Sequence, residues 1–367
     1  MRKTVHLIAA ARPNFMKVAP LYHALSASGD FEPVFVHTGQ HYDASMSDDI
    51  LGELGLPAPR HNLGVGSGSH AEQTGRVMIE YEKIAVAARP DWLVVVGDVN
   101  STAACALAGA KLGIRTVHLE AGLRSRDRRM PEEINRLVTD VLCDVLWTPS
   151  ADGDDNLRAE GIPEERITRV GNIMIDSLEM IRPRLDADNE PGRQGLVAGS
   201  YGLITLHRPS NVDSPSQLAA LARALSDASQ LVPLLFPVHP RTKARIGEFG
   251  LAQDFASARI KLIDPLSYRR FMGLLMGAKI AITDSGGLQE ETTYLGIPCL
   301  TLRENTERPV TISEGTNRLV KADTLLPALK AALDGARGQA KCPALWDGRT
   351  ALRCLADLRR RSDASRA

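Results

Sequence analysis

The chain has 367 residues, 44% hydrophobic and 24% charged, which is typical of a globular protein of roughly two domains. Lys plus Arg and Asp plus Glu each number 44, and this zero formal charge argues against an extended nucleic-acid surface. No stretch approaches about 18 uninterrupted apolar residues, so no membrane span is expected. Five cysteines without a Cys-x-x-Cys pair, and an N-terminus that enters a strand directly, predict a cytoplasmic protein with reduced thiols.

Strands alternate with helices through about the first 170 residues, which predicts a parallel, doubly wound sheet. Helices are predicted from Pro13 onward, over Ser101–Leu112 and over Pro131–Cys143. The predicted strands are Val5–Ala9, Val34–His37, Trp92–Val96, Thr116–Leu119 and Val145–Thr148.

Residues 182–200 are polar and lack an apolar period, so they are predicted to form a linker. The pattern therefore predicts an N-terminal α/β domain over 1–180 and a similar C-terminal domain over 181–344, with a ligand cleft between the carboxyl ends of their strands. A terminal helix over about 345–367 is expected to pack back on the first domain. Strands of the second domain are predicted over Leu203–Leu206, Leu234–Val238, Ile260–Ile263, Ile280–Thr283 and Cys299–Thr301.

A glycine-rich turn in the second domain is a candidate phosphate site. Ser285–Gly287 follows a buried strand and precedes a helix, and glycine lacks the Cβ that would keep an anion from the backbone. The helix dipole and the unsatisfied N–H groups of the helix start favour a phosphate there. Glu290 and Glu291 lie one turn further on, where one of them can accept a hydrogen bond from a ribose hydroxyl. The alternative is an ordinary strand-to-helix turn.

Acidic residues follow the strands of the first domain. Asp98 follows a predicted strand after one glycine, Glu120 comes directly after another, and Glu132 opens a predicted helix. Because the carboxyl ends of parallel strands share one edge of a sheet, the three are expected to converge, and crowded carboxylates can divide into acid and base. Two structural alternatives stay open, namely Asp98 as a helix N-cap and Glu132 as a charge that complements a helix dipole.

Two His/Arg pairs follow neighbouring strands of the second domain. They are His207 with Arg208 and His239 with Arg241, and near the glycine turn they are typical of a pyrophosphate clamp. His239 fits equally well as a turn residue. No Gly-x-Ser-x-Gly elbow and no Gly-x-x-x-x-Gly-Lys-[Ser/Thr] loop occurs in the sequence, which argues against a hydrolase triad and a P-loop NTPase.

A series of motifs, collinear from about residue 5 to residue 320, resembles that of the non-hydrolysing UDP-N-acetylglucosamine 2-epimerases. Arg12-Pro13-Asn14-Phe15 favours this branch, since hydrolysing relatives carry Arg-Ala-Asp-Tyr there. The resemblance implies a glycosyltransferase-B-type fold of two Rossmann-like domains, a homodimer, and interconversion of UDP-GlcNAc and UDP-ManNAc without metal or nicotinamide. The motifs are Ala11–Pro20, Thr38–His41, Val96–Asp98, His118–Arg124, Met130–Arg136, Gly171–Asn172, Leu206–Arg208, Thr283–Glu291 and Thr306–Pro309.

The resemblance also implies residue roles. Asp98, Glu120 and Glu132 match acids that transfer protons, and His207 matches a histidine tied to the same chemistry. Arg12 matches an arginine that reaches the pyrophosphate, and Glu291 matches the ribose contact. The phosphate-binding turn is matched by Ser285, Gly286 and Gly287. Further substrate contacts are expected at Lys17, Gln40, Arg136, Arg208 and Arg308, with a uracil pocket at Leu266, Tyr268 and Phe271.

The implied mechanism eliminates UDP to give a 2-acetamidoglucal and then adds it back. Departures from the family pattern leave other points open. Gln40-His41-Tyr42-Asp43 differs from members activated by a second UDP-GlcNAc, so such activation is expected to be weak or absent. The loop Ser125–Met130 and the run Arg208-Pro209-Ser210 differ beside the sugar, so another UDP-N-acetylhexosamine derivative stays open as the substrate. A glycosyltransferase of the same fold and a non-catalytic sensor are the rival classes.

Overall fold

The computed structural model describes residues 2–39, 51–255, 259–335 and 341–364. The chain divides into unit 1, Met1–Met180 with Ala344–Ala367, and unit 2, Ile181–Pro343. Each unit has one sheet, and the strand pairs among the described residues are all parallel. The predicted α/β class with two doubly wound sheets is therefore confirmed. No helix in these four ranges is long and apolar enough to cross a bilayer.

The unit 1 sheet has seven strands in the order β3-β2-β1-β4-β5-β6-β7. The strands are β1 (Lys3–Ala9), β2 (Phe31–His37), β3 (His61–Asn62), β4 (Trp92–Val96), β5 (Arg115–Leu119), β6 (Val145–Thr148) and β7 (Ile167–Arg169). The helices are α1 (Arg12–Ser28), α2 (His70–Ala88), α3 (Asn100–Lys111), α4 (Pro131–Leu142), α5 (Ala151–Ala159) and α6 (Ile173–Asp188), with a 3-10 turn at Glu164–Arg166 and helical residues at 51–54. Helix α6 begins in unit 1, and its residues from Ile181 onward belong to unit 2.

The central strands of unit 1 explain why its sheet is buried on both faces. All five residues of β4 are buried, as expected for an apolar run with helices on either side.

Helix α1 begins with Pro13 in its first turn, where proline is well tolerated, and ends at Gly29, whose φ of 76° is a left-handed conformation that favours glycine.

The unit 2 sheet has six strands in the order β10-β9-β8-β11-β12-β13. The strands are β8 (Gly202–Thr205), β9 (Leu234–Pro237), β10 (Ile260–Ile263), β11 (Ile280–Thr283), β12 (Cys299–Leu302) and β13 (Asn317–Val320). The helices are α7 (Glu190–Arg193), α8 (Pro209–Val212), α9 (Pro215–Ser229), α10 (Pro240–Glu248), α11 (Ala252–Phe255), α12 (Tyr268–Gly277), α13 (Gly286–Leu295), α14 (Val310–Ser313) and α15 (Leu325–Asp334).

The C-terminal helix α16 (Thr350–Ala364) belongs to unit 1. Trp92 Nε1 donates to Ser362 Oγ over 3.0 Å, and Trp147 Nε1 donates to Asp357 Oδ2 over 2.9 Å. Both tryptophans are buried core residues of the unit 1 sheet. The helix therefore supplies hydrogen-bond acceptors that two indoles of this core need.

The linker predicted over residues 182–200 is wrong for most of its length. Helix α6 continues to Asp188, and α7 follows it. Arg269 Nε lies 2.6 Å from Asp188 Oδ2, and Arg270 Nη2 lies 2.7 Å from the buried Glu190 Oε1. Ion pairs thus hold this segment, and hydrophobic periodicity does not detect them.

Candidate active site

Each sheet reverses its strand order once, and predicted site residues follow the strands at both reversals. In unit 1 the reversal lies between β1 and β4, which lead to Arg12 and Asp98. In unit 2 it lies between β8 and β11, which lead to His207 and Ser285. Doubly wound sheets bind ligands at the carboxyl ends of their strands at such reversals. The topology therefore gives each unit one candidate binding edge.

Glu120 lies beside the backbone that leads into Asp98. A Cβ added to Gly97 would lie 3.4 Å from Glu120 Oε2 and 3.3 Å from Lys17 Nζ. The φ of Gly97 is +68°, a conformation that side-chain-bearing residues rarely adopt. Gly97, the residue before Asp98, thus makes room for the carboxylate of Glu120 and the ammonium group of Lys17.

Both of these carboxylates have a cationic partner. Lys17 Nζ forms an ion pair with Glu120, and Arg136 Nη1 forms one with Asp98. The Asp98 side chain is 33% exposed whereas that of Glu120 is 8% exposed, so Asp98 is the more open of the two. An adjacent cation favours the ionised carboxylate, which is the form that accepts a proton. Lys17 and Arg136, predicted as substrate contacts, are engaged with the predicted acids.

The backbone at Glu120 is strained. Its φ is +77°, which is uncommon for a residue other than glycine and costs roughly 1–3 kcal/mol. Two residues on, a Cβ at Gly122 would lie 2.4 Å from Gly153 O, so this turn requires glycine there. Hydrogen bonds from Glu120 N and Ala121 N to Trp147 O, 3.1 and 3.0 Å long, hold the turn in place.

The two glutamates that open α4 have different environments. Glu132 is exposed, whereas Glu133 is buried and accepts hydrogen bonds from Ser125 N at 2.9 Å and Arg136 Nη2 at 2.8 Å. Burial raises the pKa of Glu133, but these bonds outweigh it, so the pKa lies below its usual value. Glu133 therefore orders the loop before α4 and Arg136, while Glu132 is the one accessible to a ligand.

In unit 2 a buried carboxylate holds His207. Asp284 Oδ1 lies 2.9 Å from His207 Nδ1, and its Oδ2 accepts from His207 N at 2.9 Å and Arg208 N at 2.8 Å. Burial raises the pKa of Asp284, but the hydrogen bond and charge of His207 and these backbone bonds outweigh it, so the pKa is lowered. With Nδ1 engaged, Nε2 of the partly exposed His207 is the nitrogen directed toward a ligand. Sequence reasoning missed Asp284, although it follows β11 as Asp98 follows β4.

The glycine turn starts α13, with Ser285 at its N-cap. Ser285 N donates to Thr283 Oγ1 over 2.9 Å, which leaves the following N–H groups as the donors of the helix start. A Cβ on Gly286 would lie 2.7 Å from Glu307 Oε1, whereas a Cβ on Gly287 would meet no atom within 4 Å. A side chain at Gly286 would therefore force the buried Glu307 carboxylate to shift, whereas Gly287 faces open space.

Arg308 lies beside this turn among buried carboxylates. Its Nε is 2.8 Å from Glu290 Oε1, and its guanidinium also pairs with Glu307. Arg303 Nη2 pairs with the other oxygen of Glu307 at 2.9 Å. Of these alternating charges, Glu307 and Arg308 lie directly against Gly286. Arg308, predicted as a substrate contact, thus also supports the turn. Arg208 has a similar additional task, because its Nε donates to Asp284 O over 2.9 Å.

Glu291, the predicted ribose contact, is hydrogen-bonded to Tyr268, a residue of the predicted uracil pocket. Tyr268 Oη donates to Glu291 Oε1 over 2.7 Å at the start of α12. Burial raises the pKa of Glu291 to about 7; the hydrogen bond from Tyr268 lowers it and the charge of Glu290 raises it further. Leu266 and Phe271, close to Tyr268 in the chain, are partly exposed. Glu291 is thus a carboxyl group that titrates near neutral pH.

Two predicted contacts are not placed at side-chain level. Gln40, with the run 40–43 that carried the expectation of weak activation, lies outside the described residues. Helix α1 begins at Arg12, whose side chain lies outside them as well. In the part of the chain that is described, no cluster of three or more His, Cys, Asp or Glu residues could hold a metal ion.

Comparison with known proteins connects this geometry to one kind of enzyme. The model of the UDP-N-acetylglucosamine 2-epimerase family matches residues 23–359. A UDP-N-acetylglucosamine 2-epimerase of Methanococcus maripaludis is 40% identical over 326 residues, which cover 87% of this chain and 88% of that protein. A UDP-2,3-diacetamido-2,3-dideoxy-D-glucuronate 2-epimerase of Pseudomonas aeruginosa is 38% identical over 319 residues, 86% of this chain and 87% of its own.

A solved structure is similar over nearly the whole chain. It is the Methanocaldococcus jannaschii UDP-GlcNAc 2-epimerase in complex with UDP-GlcNAc and UDP. The TM-score is 0.88 at 38% sequence identity, and the match covers 97% of this chain and 99% of that one. The likeness therefore includes both units and both candidate binding edges.

Proposed function

Because the chain belongs to the UDP-N-acetylglucosamine 2-epimerase family, we propose that it interconverts UDP-N-acetylglucosamine and UDP-N-acetylmannosamine by inverting C2 of the sugar. The observation that carries this proposal is the position of Glu120 over Gly97, next to Asp98, at the strand reversal of unit 1. Two carboxylates with cationic partners at one ligand-binding edge are suited to proton transfer.

The reaction needs a leaving group because the C2 proton is not acidic. C2 bears an acetamido group and no neighbouring carbonyl, so its deprotonation alone would leave an unstabilised carbanion. When the C1–O bond breaks as C2 loses its proton, the electron pair of the C2–H bond forms the C1=C2 double bond of a 2-acetamidoglucal, and the C1–O pair leaves with UDP. Return of UDP to C1 and of a proton to the opposite face of C2 completes the inversion.

We assign the two units different parts of this chemistry. Asp98, Glu120 and Glu132 of unit 1 transfer the protons, each on the basis of its position at the carboxyl edge of the sheet or at the start of α4. In unit 2, the start of α13 and Arg208 stabilise the negative charge that develops on the diphosphate. His207, oriented by Asp284, acts beside the same bond, and Glu291 binds the ribose.

Incubation with UDP-GlcNAc alone in deuterium oxide tests the proposed activity. We expect UDP-ManNAc to accumulate and both sugars to gain deuterium at C2, measured by proton NMR and mass spectrometry. A glycosyltransferase or a binding protein would leave the C2 proton in place. Absence of exchange with this substrate and with the alternative below would contradict the epimerase proposal.

A second substrate is favoured by the loop before α4. Arg128 is exposed there, between two further exposed arginines, Arg126 and Arg129. The Pseudomonas aeruginosa relative is named for a sugar nucleotide with a carboxylate, which an arginine can bind. Parallel assays with UDP-GlcNAc and UDP-2,3-diacetamido-2,3-dideoxy-D-glucuronate decide between them. If the glucuronate is the substrate, Arg128→Gln should reduce turnover of that compound selectively.

We also propose that the protein is a homodimer. Helix α4 exposes Ile134, Val138 and Val141, which are 37%, 42% and 65% exposed and whose spacing places them on one face. Burying such a face against a second copy removes apolar surface from water. Val141→Asp should shift sedimentation toward a monomer, whereas Leu352→Asp, at a 58% exposed leucine of α16, should not. An unchanged sedimentation coefficient for Val141→Asp would contradict the use of this face.

We place the enzyme in the cytoplasm. Four of the cysteines are free thiols in buried positions, namely Cys105, Cys143, Cys299 and Cys354. Unpaired cysteines are typical of reducing compartments, where disulfides rarely persist. Cell fractionation with an antibody against the chain tests this placement, and enrichment in a secreted or periplasmic fraction would contradict it.

A further inference from the structure

A buried pair of ionisable side chains in unit 1 has no part in the proposed proton transfers. His118 Nδ1 lies 2.6 Å from Asp140 Oδ1, and His118 Nε2 lies 2.8 Å from Gly97 O. Both side chains have no solvent exposure at all. His118 lies in β5, directly before the strained turn, and Asp140 lies on α4. Neither side chain can touch a substrate, so any effect on the reaction must pass through other residues.

The second oxygen of Asp140 binds the turn that follows Glu120. Asp140 Oδ2 accepts from Gly122 N at 3.1 Å and lies 2.7 Å from Arg124 Nη2. Burial raises the pKa of Asp140, but the charges and hydrogen bonds of His118 and Arg124 outweigh it, so the pKa is lowered and the group is a carboxylate at neutral pH. Arg124 in turn donates from Nε to Glu160 Oε1 over 2.8 Å. The pair thus belongs to a chain of alternating charges.

This one carboxylate connects all three segments that carry the predicted acids. Through His118 it reaches Gly97, the residue before Asp98. Through Gly122 it reaches the turn that begins at Glu120. Its own helix, α4, begins with Glu132 at its amino end. A shift of Asp140 would therefore displace the three acids relative to one another.

His118 has a hydrogen-bond partner at each ring nitrogen. The carbonyl oxygen of Gly97 can only accept, so Nε2 donates to it over 2.8 Å. Nδ1 lies 2.6 Å from the Asp140 carboxylate. The ring thus bridges the loop of Asp98 and helix α4.

We propose that the buried, hydrogen-bonded His118–Asp140 pair is a positioning device that sets the geometry of Asp98 and Glu120 for proton transfer at C2. This inference rests on the proposed epimerase function. His118 and Asp140 are positioning residues that act through the backbone at Gly97 and Gly122. Misplacement of reacting groups by about 1 Å can cost about 100-fold in rate even when binding is intact. The pair should therefore affect kcat much more than KM.

Asp140→Asn tests the proposal. The amide keeps the shape of the side chain, but its NH2 group must face a donor, either His118 or Gly122 with Arg124. We expect kcat to fall about 10- to 100-fold, with KM for the UDP-sugar changed less than about twofold. The matched control is Asp357→Asn on α16, which removes another buried carboxylate of unit 1 that accepts from Trp147 and pairs with Arg361. The control should lower the Tm and leave kcat unchanged.

The outcomes are distinct. A kcat loss in Asp140→Asn alone, with comparable Tm losses in both variants, supports the positioning role. An unchanged kcat in folded Asp140→Asn overturns it, and so does an equal kcat loss in both variants, because that would reflect general destabilisation.

A second measurement uses the wild-type protein and does not depend on how the variants fold. With 15N-labelled histidine, the hydrogen on Nε2 of His118 should give an observable, slowly exchanging resonance, because this nitrogen is buried and donates to Gly97 O. Fast exchange of this hydrogen with solvent would overturn the proposal. If the slow exchange is observed but wild type exchanges no C2 proton, the proposed function fails while the buried pair itself stands.

Discussion

The strand reversals of the two units both carry acidic residues, but the acids have different partners. In unit 1, Glu120 and Asp98 are paired with the side-chain cations Lys17 and Arg136. In unit 2, Asp284 accepts mainly backbone N–H groups and one histidine, and Glu291 accepts only a tyrosine hydroxyl among its bonds to described residues.

The difference shows two uses of a carboxylate. A cation beside a carboxylate stabilises the ionised form of that carboxylate. The ion pair can separate when substrate arrives, which suits a carboxylate that must change protonation. A carboxylate that accepts backbone N–H groups, such as Asp284, fixes a loop and must stay ionised. Glu291 is a third case, since burial without a cation leaves its pKa near neutral. The four predictions that follow test whether these environments correspond to separate tasks.

Loss of the unit 1 acids should have the largest effect. Asp98→Asn, Glu120→Gln and Glu132→Gln should each lower kcat by about 100-fold or more, the scale of a lost acid or base, as measured by C2 deuterium exchange. Asp144→Asn is a matched control, because Asp144 accepts from Thr116 N at 2.8 Å at the opposite edge of the sheet. Near-wild-type rates in all three acid variants would contradict the proposal that the acids of unit 1 transfer protons while those of unit 2 do not.

The neighbouring residues Glu132 and Glu133 allow an exposed and a buried carboxylate of unit 1 to be compared for their effect on stability. Glu133→Gln should lower the free energy of unfolding by about 1–3 kcal/mol, because Ser125 and Arg136 lose a buried charged acceptor. Exposed Glu132→Gln should leave the free energy of unfolding nearly unchanged. Urea denaturation of both variants measures this, and equal stabilities would show that Glu133 does not order the loop.

In unit 2, substitution of the two glycines of the turn should have different effects, one on thermal stability and the other on the affinity for UDP. Gly287→Ala adds a Cβ in open space, so the Tm should be retained, but the methyl group obstructs the anion and UDP should bind about tenfold more weakly. Gly286→Ala places the Cβ 2.7 Å from Glu307 Oε1 and should lower the Tm. Isothermal titration and thermal unfolding report both effects. Unchanged UDP affinity in Gly287→Ala would argue against a phosphate at this turn.

The smallest expected effect is a pH dependence of UDP binding. With a pKa of about 7, the ionised fraction of Glu291 rises from about one tenth at pH 6 to about nine tenths at pH 8. Ribose hydroxyls donate to the carboxylate, so UDP affinity should rise by up to about tenfold over this range and then level off. Calorimetry across pH measures it, with Glu291→Gln as the control that should lose the dependence. A flat wild-type profile would exclude Glu291 as the ribose contact.

The contribution of Glu291 to folding stability changes with pH in the opposite direction to the affinity for UDP. Because the folded pKa of Glu291 lies above its ordinary value, the folded chain binds more protons on this group than the unfolded chain does between about pH 4.5 and 7. This group therefore contributes less stability as pH rises through that window, while the affinity for UDP increases. Thermal unfolding with and without UDP separates the two trends.

The sequence predicts those features that local order determines. Apolar runs locate the strands, and polar residues within two positions of a strand end identify Asp98, Glu120 and His207, because parallel strands place their carboxyl ends on one edge. The buried partners are set by contacts between distant segments. Asp284 lies 77 residues from His207, and Asp140 lies 22 from His118, so no local pattern indicates either pair. The sequence predicts a linker over the end of helix α6 for a similar reason, since Arg269, the partner of Asp188, is 81 residues away.

Helix α16 has a consequence for biosynthesis. Residues 344–367 complete unit 1, yet the ribosome makes them only after all of unit 2. Until they emerge, Trp92 and Trp147 lack the acceptors that Ser362 and Asp357 provide. Unit 1, most of which is translated first, should thus finish folding last, and fusions or deletions at the C-terminus should harm unit 1 although unit 2 is nearer in sequence.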